Sequence, residues 1–282
     1  MPESPELEVV REVLSRRLTG RRIEQVVVAP KGGPIVIRDL TGQGFVTLLT
    51  GSKIESVARR GKFLLFGLRP ADASVPSHML AVNPKLSGRF QLCPPAAKKA
   101  GPVHVAFVFR DPDQELRYVD QKRMGQLYLT RDLAAVPDLS EMGPEALDVS
   151  LEDFRSRLAS FRGEIKGVLV RSTFVAGIGD AYADEMLWLA RIHPYRKRTS
   201  LSPEEIERLY EAMQVTLRDA ITNVRRAMGE DIHTEPRDFL AVHSRTGQPC
   251  PRCGESITSI TANQRLTSFC RTCQPGGLIR GM

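Results

Sequence analysis

The stretch PCPRCGESITSITANQRLTSFCRTC, residues 249–273, holds two C-x-x-C pairs with sixteen residues between them. Each pair can present two thiolates from one tight turn, and two such knuckles complete a tetrahedral four-cysteine zinc site. The intervening residues Ile257, Thr258, Ile260 and Thr261 are β-branched, which suits a hairpin. Cys250, Cys253, Cys270 and Cys273 are therefore expected to hold one Zn²⁺, with disulfides or free thiols as the alternative in an oxidising or metal-free setting. Four protein ligands leave no open position, so the metal is expected to be structural. The fifth cysteine, Cys93, reads as a buried small hydrophobe, and His243 is surplus to a complete set of thiolates.

Upstream the pattern divides. Residues 4–18 space Leu7, Val10, Val13, Leu14 and Leu18 as an amphipathic helix, with Ser4 at the N-cap and Pro5 at the first helical position. From about 22 to 130 come short apolar segments, RIEQVVVAP, FVTLLTG, GKFLLFGL, HVAFVFR, LRYVDQ and GQLYLT, separated by turn signals. They predict a β-rich domain of two packed sheets. LCPPAAKKAGP at 92–102 reads as a loop, and 132–150 as a linker. Helical patterns follow over 151–228, in EDFRSRL, KGVLVRS, YADEMLWLARI and a long one from 203. The expected class is α+β. An N-terminal β-sandwich with a leading helix occupies 1–135, a helical domain 136–240, and a zinc finger 241–282.

The 282 residues carry a formal charge of +7, which favours a polyanionic partner, nucleic acid first among them. Residues 241–282 hold five Arg and one Glu, and four thiolates on Zn²⁺ bring the finger's balance to about +2. Arg265 on the expected hairpin can reach a nucleic-acid backbone, whereas Arg252 and Arg271 read as charges on a solvated face. There is no apolar run long enough to span a membrane and no targeting segment, so a cytoplasmic protein is expected; nothing in the sequence suggests more than a monomer.

Motifs along the whole chain resemble one family. The opening MPESPELE is similar to the M-P-E-L-P-E-V-E start of bacterial formamidopyrimidine-DNA glycosylases, the family that includes endonuclease VIII. The likeness continues through RRGKFLLF at 59–66, LSGRF at 86–90, DQKRMG at 120–125, MGPEALD at 142–148, GIGDAYADEMLWLARIHP at 177–194 and VHSRTGQPCPRC at 242–253. The resemblance implies a bifunctional glycosylase and abasic-site lyase acting on damaged double-stranded DNA in bacterial base excision repair, associated with the nucleoid. Its helical domain would be a helix–two-turn–helix.

It also implies roles. Removal of Met1 would leave Pro2 with a terminal secondary amine, a good nucleophile toward C1′ of the damaged nucleotide. Its reference pKa of about 7.7–8.0 leaves a neutral fraction at physiological pH, and the helix dipole lowers it further. Glu3 would be the general acid/base. Glu6 would support it, or serve only as a favourable charge at a helix N-terminus. Lys62 would bind phosphates flanking the lesion. Read without the family it is a strand-edge lysine. Leu86, Lys122 and Met124 occupy the positions of side chains that fill the hole left by a flipped base, with Arg123 adjacent. Core packing is the competing reading of Leu86 and Met124.

Three features depart from the family pattern. Asn83-Pro84-Lys85-Leu86 replaces H-L-G-M, and Lys122 replaces the usual Arg, losing its planar donor fork. Asp180 replaces the Asn of G-x-G-N. An ionised Asp cannot donate to phosphate and is expected to cap its own turn. The segment MGEDIHTEPRDFLAVHSRTG is short, which points away from 8-oxoguanine toward formamidopyrimidines or oxidised pyrimidines. The competing class is a catalytically silent lesion- or structure-specific DNA-binding zinc protein; a zinc-finger regulator is a third reading.

Overall fold

The structure is a computed structural model that describes residues 1–72, 74–109, 114–262 and 265–276. Arg110 of HVAFVFR, Asn263 and Gln264 of the cysteine-bearing segment, and residues 277–282 lie outside them. The chain forms two compact units. One comprises Met1–Ser140 with Val224–Pro236, the other Glu141–Asn223 with Arg237–Met282.

The first unit begins with helix α1 (Ser4–Leu18). Its buried stripe, Leu7, Val10, Val13, Leu14 and Leu18, is the one the sequence spacing predicts. Burial of each such side chain contributes about 1.5–3 kcal/mol. The N-cap is Glu3, one residue before the expected Ser4, so Pro5 sits second in the helix. Then come β1 (Ile23–Val28), α2 (Gly33–Val36), β2 (Ile37–Asp39), α3 (Phe45–Leu49), β3 (Lys53–Arg60), β4 (Phe63–Arg69), β5 (His78–Asn83), β6 (Gly88–Cys93), β7 (Val103–Phe109), β8 (Glu115–Asp120) and β9 (Gln126–Thr130).

They build two sheets, ordered β1-β7-β8-β6 and β2-β9-β5-β4-β3. Every pairing is antiparallel except β2 with β9. Phe66 of one sheet meets Phe90 of the other edge-to-face at 5.7 Å, and Phe90 in turn meets Tyr118 at 5.4 Å. Such pairs add about 0.5–1.5 kcal/mol beyond their buried area. Six consecutive residues of β4 are buried, and α1 packs on β3 and β4.

FVTLLTG is not a strand but the single helical turn α3. Its buried residues Phe45, Leu48 and Leu49 stand at i, i+3 and i+4, a helical spacing that a short apolar run conceals. The stretch 132–150 is not a loose linker either: Val136, Ala146 and Val149 are buried, and Glu145 bridges to Ala176. Cys93 is buried as expected, and burial pushes its thiol up.

The second unit holds α4 (Leu151–Ala159), α5 (Ile165–Leu169), α6 (Asp180–Leu189) and most of α7 (Pro203–Met228), whose last residues group with the first unit. Phe154 anchors its core, touching Phe174 at 5.2 Å and Tyr210 at 5.6 Å. The hairpin β10 (Thr258–Ala262) and β11 (Arg265–Phe269) follows. No helix among the described residues is long and apolar enough to cross a membrane.

Candidate active site, phosphate cleft and metal centre

Glu3 and Glu6 are almost fully buried at the start of α1, and Pro2 is buried beside them. Glu6 Oε2 accepts the Glu3 N–H at 2.8 Å, so Glu6 fixes the entry of the helix whatever else it does. Two carboxylates in a first turn are stabilised by the positive end of the helix dipole. A narrow cavity opens here, lined by Pro2, Glu6, Pro84, Gly88, Arg89 and Thr234 among others. Arg89 pairs with Glu235, whose Oε1 also takes the Met1 ammonium at 3.1 Å.

Lys62 stands half-buried on the turn joining β3 to β4. Arg59, near the end of β3, ties that turn to α1. Its Nε donates to Glu8 Oε2 at 2.8 Å and its Nη1 to the Gly61 carbonyl at 2.9 Å. Burial pushes the Glu8 carboxyl up, but Arg59 and Arg11 outweigh it and hold the group below its ordinary value.

Leu86 follows β5 and Met124 follows β8, each at the tip of a loop, 41% and 48% exposed. Core packing is therefore excluded for both. Lys122 and Arg123 are exposed on the Met124 loop.

In the second unit Lys166, Asp180, Tyr195, Arg265 and Thr267 line one cleft with Glu164 and Gly167. Asp180 is the first residue of α6, not its cap, which is Gly179. Its Oδ1 lies 3.8 Å from the buried Lys166 ammonium. Lys166 Nζ donates to the Leu266 carbonyl at 2.7 Å and Thr267 Oγ1 at 3.0 Å, and pairs with Asp184 Oδ1 at 2.7 Å. Asp184 Oδ2 meets His243 Nδ1 at 2.8 Å and accepts the Ser268 N–H at 2.9 Å. Glu185 collects the N–H groups of Ala241, Val242 and His243 at 2.8–2.9 Å. Burial nevertheless pushes its carboxyl up.

The four clustered cysteines bring their Sγ atoms within 4.8 Å of one another. Cys250 and Cys273 are 3.8 Å apart and Cys253 and Cys270 3.5 Å, close to the roughly 3.8 Å edge of a tetrahedron with Zn–S bonds of about 2.3 Å. The donor set fits zinc on charge as well. Burial raises the Cys250 thiol, but N–H groups of Arg252, Trp188 and Cys253 bring it down to about 6. Cys273, half-buried and sharing hydrogen bonds with the other three sulfurs, is pushed up to about 12. Four thiolates this close need a cation between them. Arg252 is no free surface charge: it stacks 4.3 Å from the Trp188 ring centre and donates to the Trp188 carbonyl at 2.9 Å.

Comparison with known proteins places this geometry. Residues 1–127 match the formamidopyrimidine-DNA glycosylase N-terminal domain, 142–230 the H2TH domain of the same enzymes, and 247–276 the zinc finger found in FPG and IleRS. The formamidopyrimidine-DNA glycosylase of Symbiobacterium thermophilum is 37% identical, covering 98% of this chain and 90% of that one. That of Listeria innocua is 34% identical over 97% and 100%. The chain belongs to the formamidopyrimidine-DNA glycosylase family. The solved complex of Lactococcus lactis Fpg with DNA containing an abasic site superposes with a TM-score of 0.82 at 29% identity, covering 97% of this chain and all of that one. MutM bound to DNA containing carbocyclic 8-oxo-G gives 0.83 at 29% identity, covering 98% and 100%.

Within this family frame, Pro2, Glu3 and Glu6 share one buried helix start, and Asp180 and Arg265 share one cleft. Leu86 and Met124 are exposed on two loops that hydrogen bonds join through Ser87, Asp120 and Lys122. The sequence reading missed Lys166, Asp184, Glu185 and His243. A lysine in a short helix and two acids in an amphipathic one carry no mark of burial. The two adjacent carboxylates inside YADEMLW were the available signal, because a helix so apolar has little solvated face for them.

Proposed function

We propose that the protein is a base-excision DNA glycosylase with abasic-site lyase activity and that Pro2 is its nucleophile. The observation that carries the reading is the buried helix start, with Pro2, Glu3 and Glu6 at one end of a full-length family match. The DNA complexes of the solved relatives support damaged DNA as the ligand, which we take to be double-stranded.

Once Met1 is removed, the Pro2 nitrogen attacks C1′ of the extruded nucleotide, the glycosidic bond breaks, and the base leaves with a proton. Glu3 protonates the sugar ring oxygen as the ring opens, giving an iminium between Pro2 and C1′. The iminium acidifies the C2′ proton. Its loss expels the 3′ phosphate, and a second elimination expels the 5′ phosphate. Lys62 binds a flanking phosphate as a point charge. Leu86 and Met124 fill the vacated stack. Lys122 and Arg123 face the orphaned base, with weaker discrimination of that base than a forked arginine gives. The cleft of Lys166 and Arg265 takes a backbone phosphate. Zinc, held by Cys250, Cys253, Cys270 and Cys273, supplies only the fold of the finger. The short segment after α7 favours formamidopyrimidines or oxidised pyrimidines over 8-oxoguanine, and the protein works as a cytoplasmic monomer.

Borohydride trapping on a duplex with an abasic site, followed by peptide mapping, tests the mechanism. A covalent adduct on Pro2, lost in Pro2→Gly while DNA binding stays, is the expected result. Intact DNA binding with Met1 removed and no adduct would leave a silent DNA-binding protein instead.

A further inference from the structure

The two loops that carry Leu86 and Met124 converge on one buried side chain that the proposed chemistry does not use. Asp120, at the end of β8, is 1% exposed. Its Oδ1 accepts the Ser87 hydroxyl and, at 3.1 Å, the Lys122 N–H. Its Oδ2 accepts the Gly125 N–H at 2.7 Å. Ser87 Oγ also accepts the Lys122 N–H at 2.9 Å, which closes a ring of hydrogen bonds between the loops. Among the described residues no cation pairs with this carboxylate within 4 Å. Its partners are neutral donors from two chain segments.

The loops are also built to match. Each places a non-glycine residue in the left-handed region directly before its apolar tip, Lys85 at φ 49° before Leu86 and Arg123 at φ 54° before Met124. Such conformations persist only where the surroundings over-determine them. Each loop then passes a glycine against the Tyr118 hydroxyl. A Cβ at Gly88 would stand 2.2 Å from that oxygen, and one at Gly125 only 1.7 Å. Burial, with the Asp120 charge beside it, keeps that hydroxyl protonated.

We infer that Asp120 is a positioning residue that latches the two loops into one wedge, so that Leu86 and Met124 enter the DNA stack together when a base is extruded. This inference rests on the proposed glycosylase function. The latch holds two exposed tips as a preorganised pair, which lowers the ordering cost of insertion.

The test compares Asp120→Asn and Ser87→Ala with wild type on an abasic site in a duplex and in a single-stranded oligonucleotide. A single strand has no stack to fill. Asparagine keeps the shape but turns one acceptor into a donor, which sets an N–H against one loop. Asp120→Asn is expected to slow duplex cleavage by about 10- to 100-fold. Ser87→Ala is expected to have a smaller effect of the same kind, and single-strand cleavage and borohydride trapping are expected to stay at the wild-type level. 2-Aminopurine next to the site, bright in the wild-type complex, should stay dim with Asp120→Asn. Adding Asp120→Asn to Leu86→Ala/Met124→Ala should cost nothing further. Equal duplex rates for all proteins overturn the latch. So does an equal loss on both substrates with a fall in melting temperature, which would make Asp120 a fold-holding residue only. Absence of single-strand trapping by wild type would count against the Pro2 mechanism itself.

Discussion

Asp184→Ala probes the buried junction between α6 and the zinc-finger hairpin. The Asp184 side chain is fully buried and that of Lys166 is 7% exposed. Truncation leaves the Lys166 ammonium with the Leu266 carbonyl, Thr267 Oγ1 and the Asp180 carboxylate at 3.8 Å. Removing one partner of a buried ion pair costs about 3–5 kcal/mol, and the more distant, partly exposed Asp180 offsets little of it. The freed Ser268 N–H would add about 1–3 kcal/mol if it stayed dry. These groups surround one hole, and water entering it serves several of them, so the losses do not sum. A total of about 3–5 kcal/mol is expected for the C-terminal unit. Trp188, the sole tryptophan, is the natural reporter, because its Nε1 lies 3.4 Å from Cys250 Sγ. With a urea slope of about 2 kcal/mol per molar, the fluorescence midpoint in saturating zinc should fall by about 2 M. Asp184→Ala/Lys166→Met, which removes both charges, should recover most of that loss. A loss under about 1 kcal/mol for Asp184→Ala, or no recovery in the double variant, would refute the reasoning.

Chelating zinc is expected to shift Trp188 emission and abolish DNA binding measured by anisotropy, with both restored by added Zn²⁺. Retention of binding after the shift would separate the finger from DNA recognition. Asp180→Asn removes a negative charge from the cleft of Lys166 and Arg265 and should tighten DNA binding about 3- to 10-fold, with a salt slope steeper by up to about one. Unchanged or weaker binding would show that Asp180 does not oppose a phosphate. Glu8, held below its ordinary 4.5 in the folded state, contributes stability that is full above that value and lost as pH falls through the lowered one. Glu8→Gln should therefore be less stable than wild type near neutrality and converge with it in acid unfolding titrations; a constant gap across that window would exclude the Arg59 pair as the cause.

What the sequence discloses follows the range of the interaction. The cysteine knuckles, α1 and the β10–β11 hairpin are legible because their signals lie within one or two turns of chain: a fixed spacing, a 3.6-residue stripe, a β-branched run. FVTLLTG misleads because five residues are too few to separate a helical turn from a strand by periodicity. The helix cap shifts by one residue because Glu3 and Ser4 are both plausible first-turn residues and Glu6 settles the matter by bonding the Glu3 N–H. Arg59 and the Lys166–Asp184–His243 chain are invisible for a different reason. Their partners lie tens of residues away, at 51 positions for Arg59 with Glu8 and 59 for His243 with Asp184. A charged residue in sequence carries no record of whether it will be solvated or paired.

The same device appears in both units. In the first, Asp120 is buried and gathers donors from the loops at 87 and at 122–125. In the second, Asp184 and Glu185 are buried and gather donors from 241–243, Ser268 and Lys166. In each case the carboxylate is inside while exposed tips, Leu86 and Met124 or Arg265, stand on the segments it holds. On the proposed function, a protein that bends and opens a polyanionic helix gains nothing from acids on its contact surface, since they repel phosphate. Turned inward and satisfied by N–H groups, the same acids fix backbone geometry at sites where neutral side chains would leave several donors unpaired. Asp180 is the exception, a partly exposed carboxylate at the cleft itself. That makes Asp180→Asn the substitution most able to separate an acid that builds the site from one that restrains binding there.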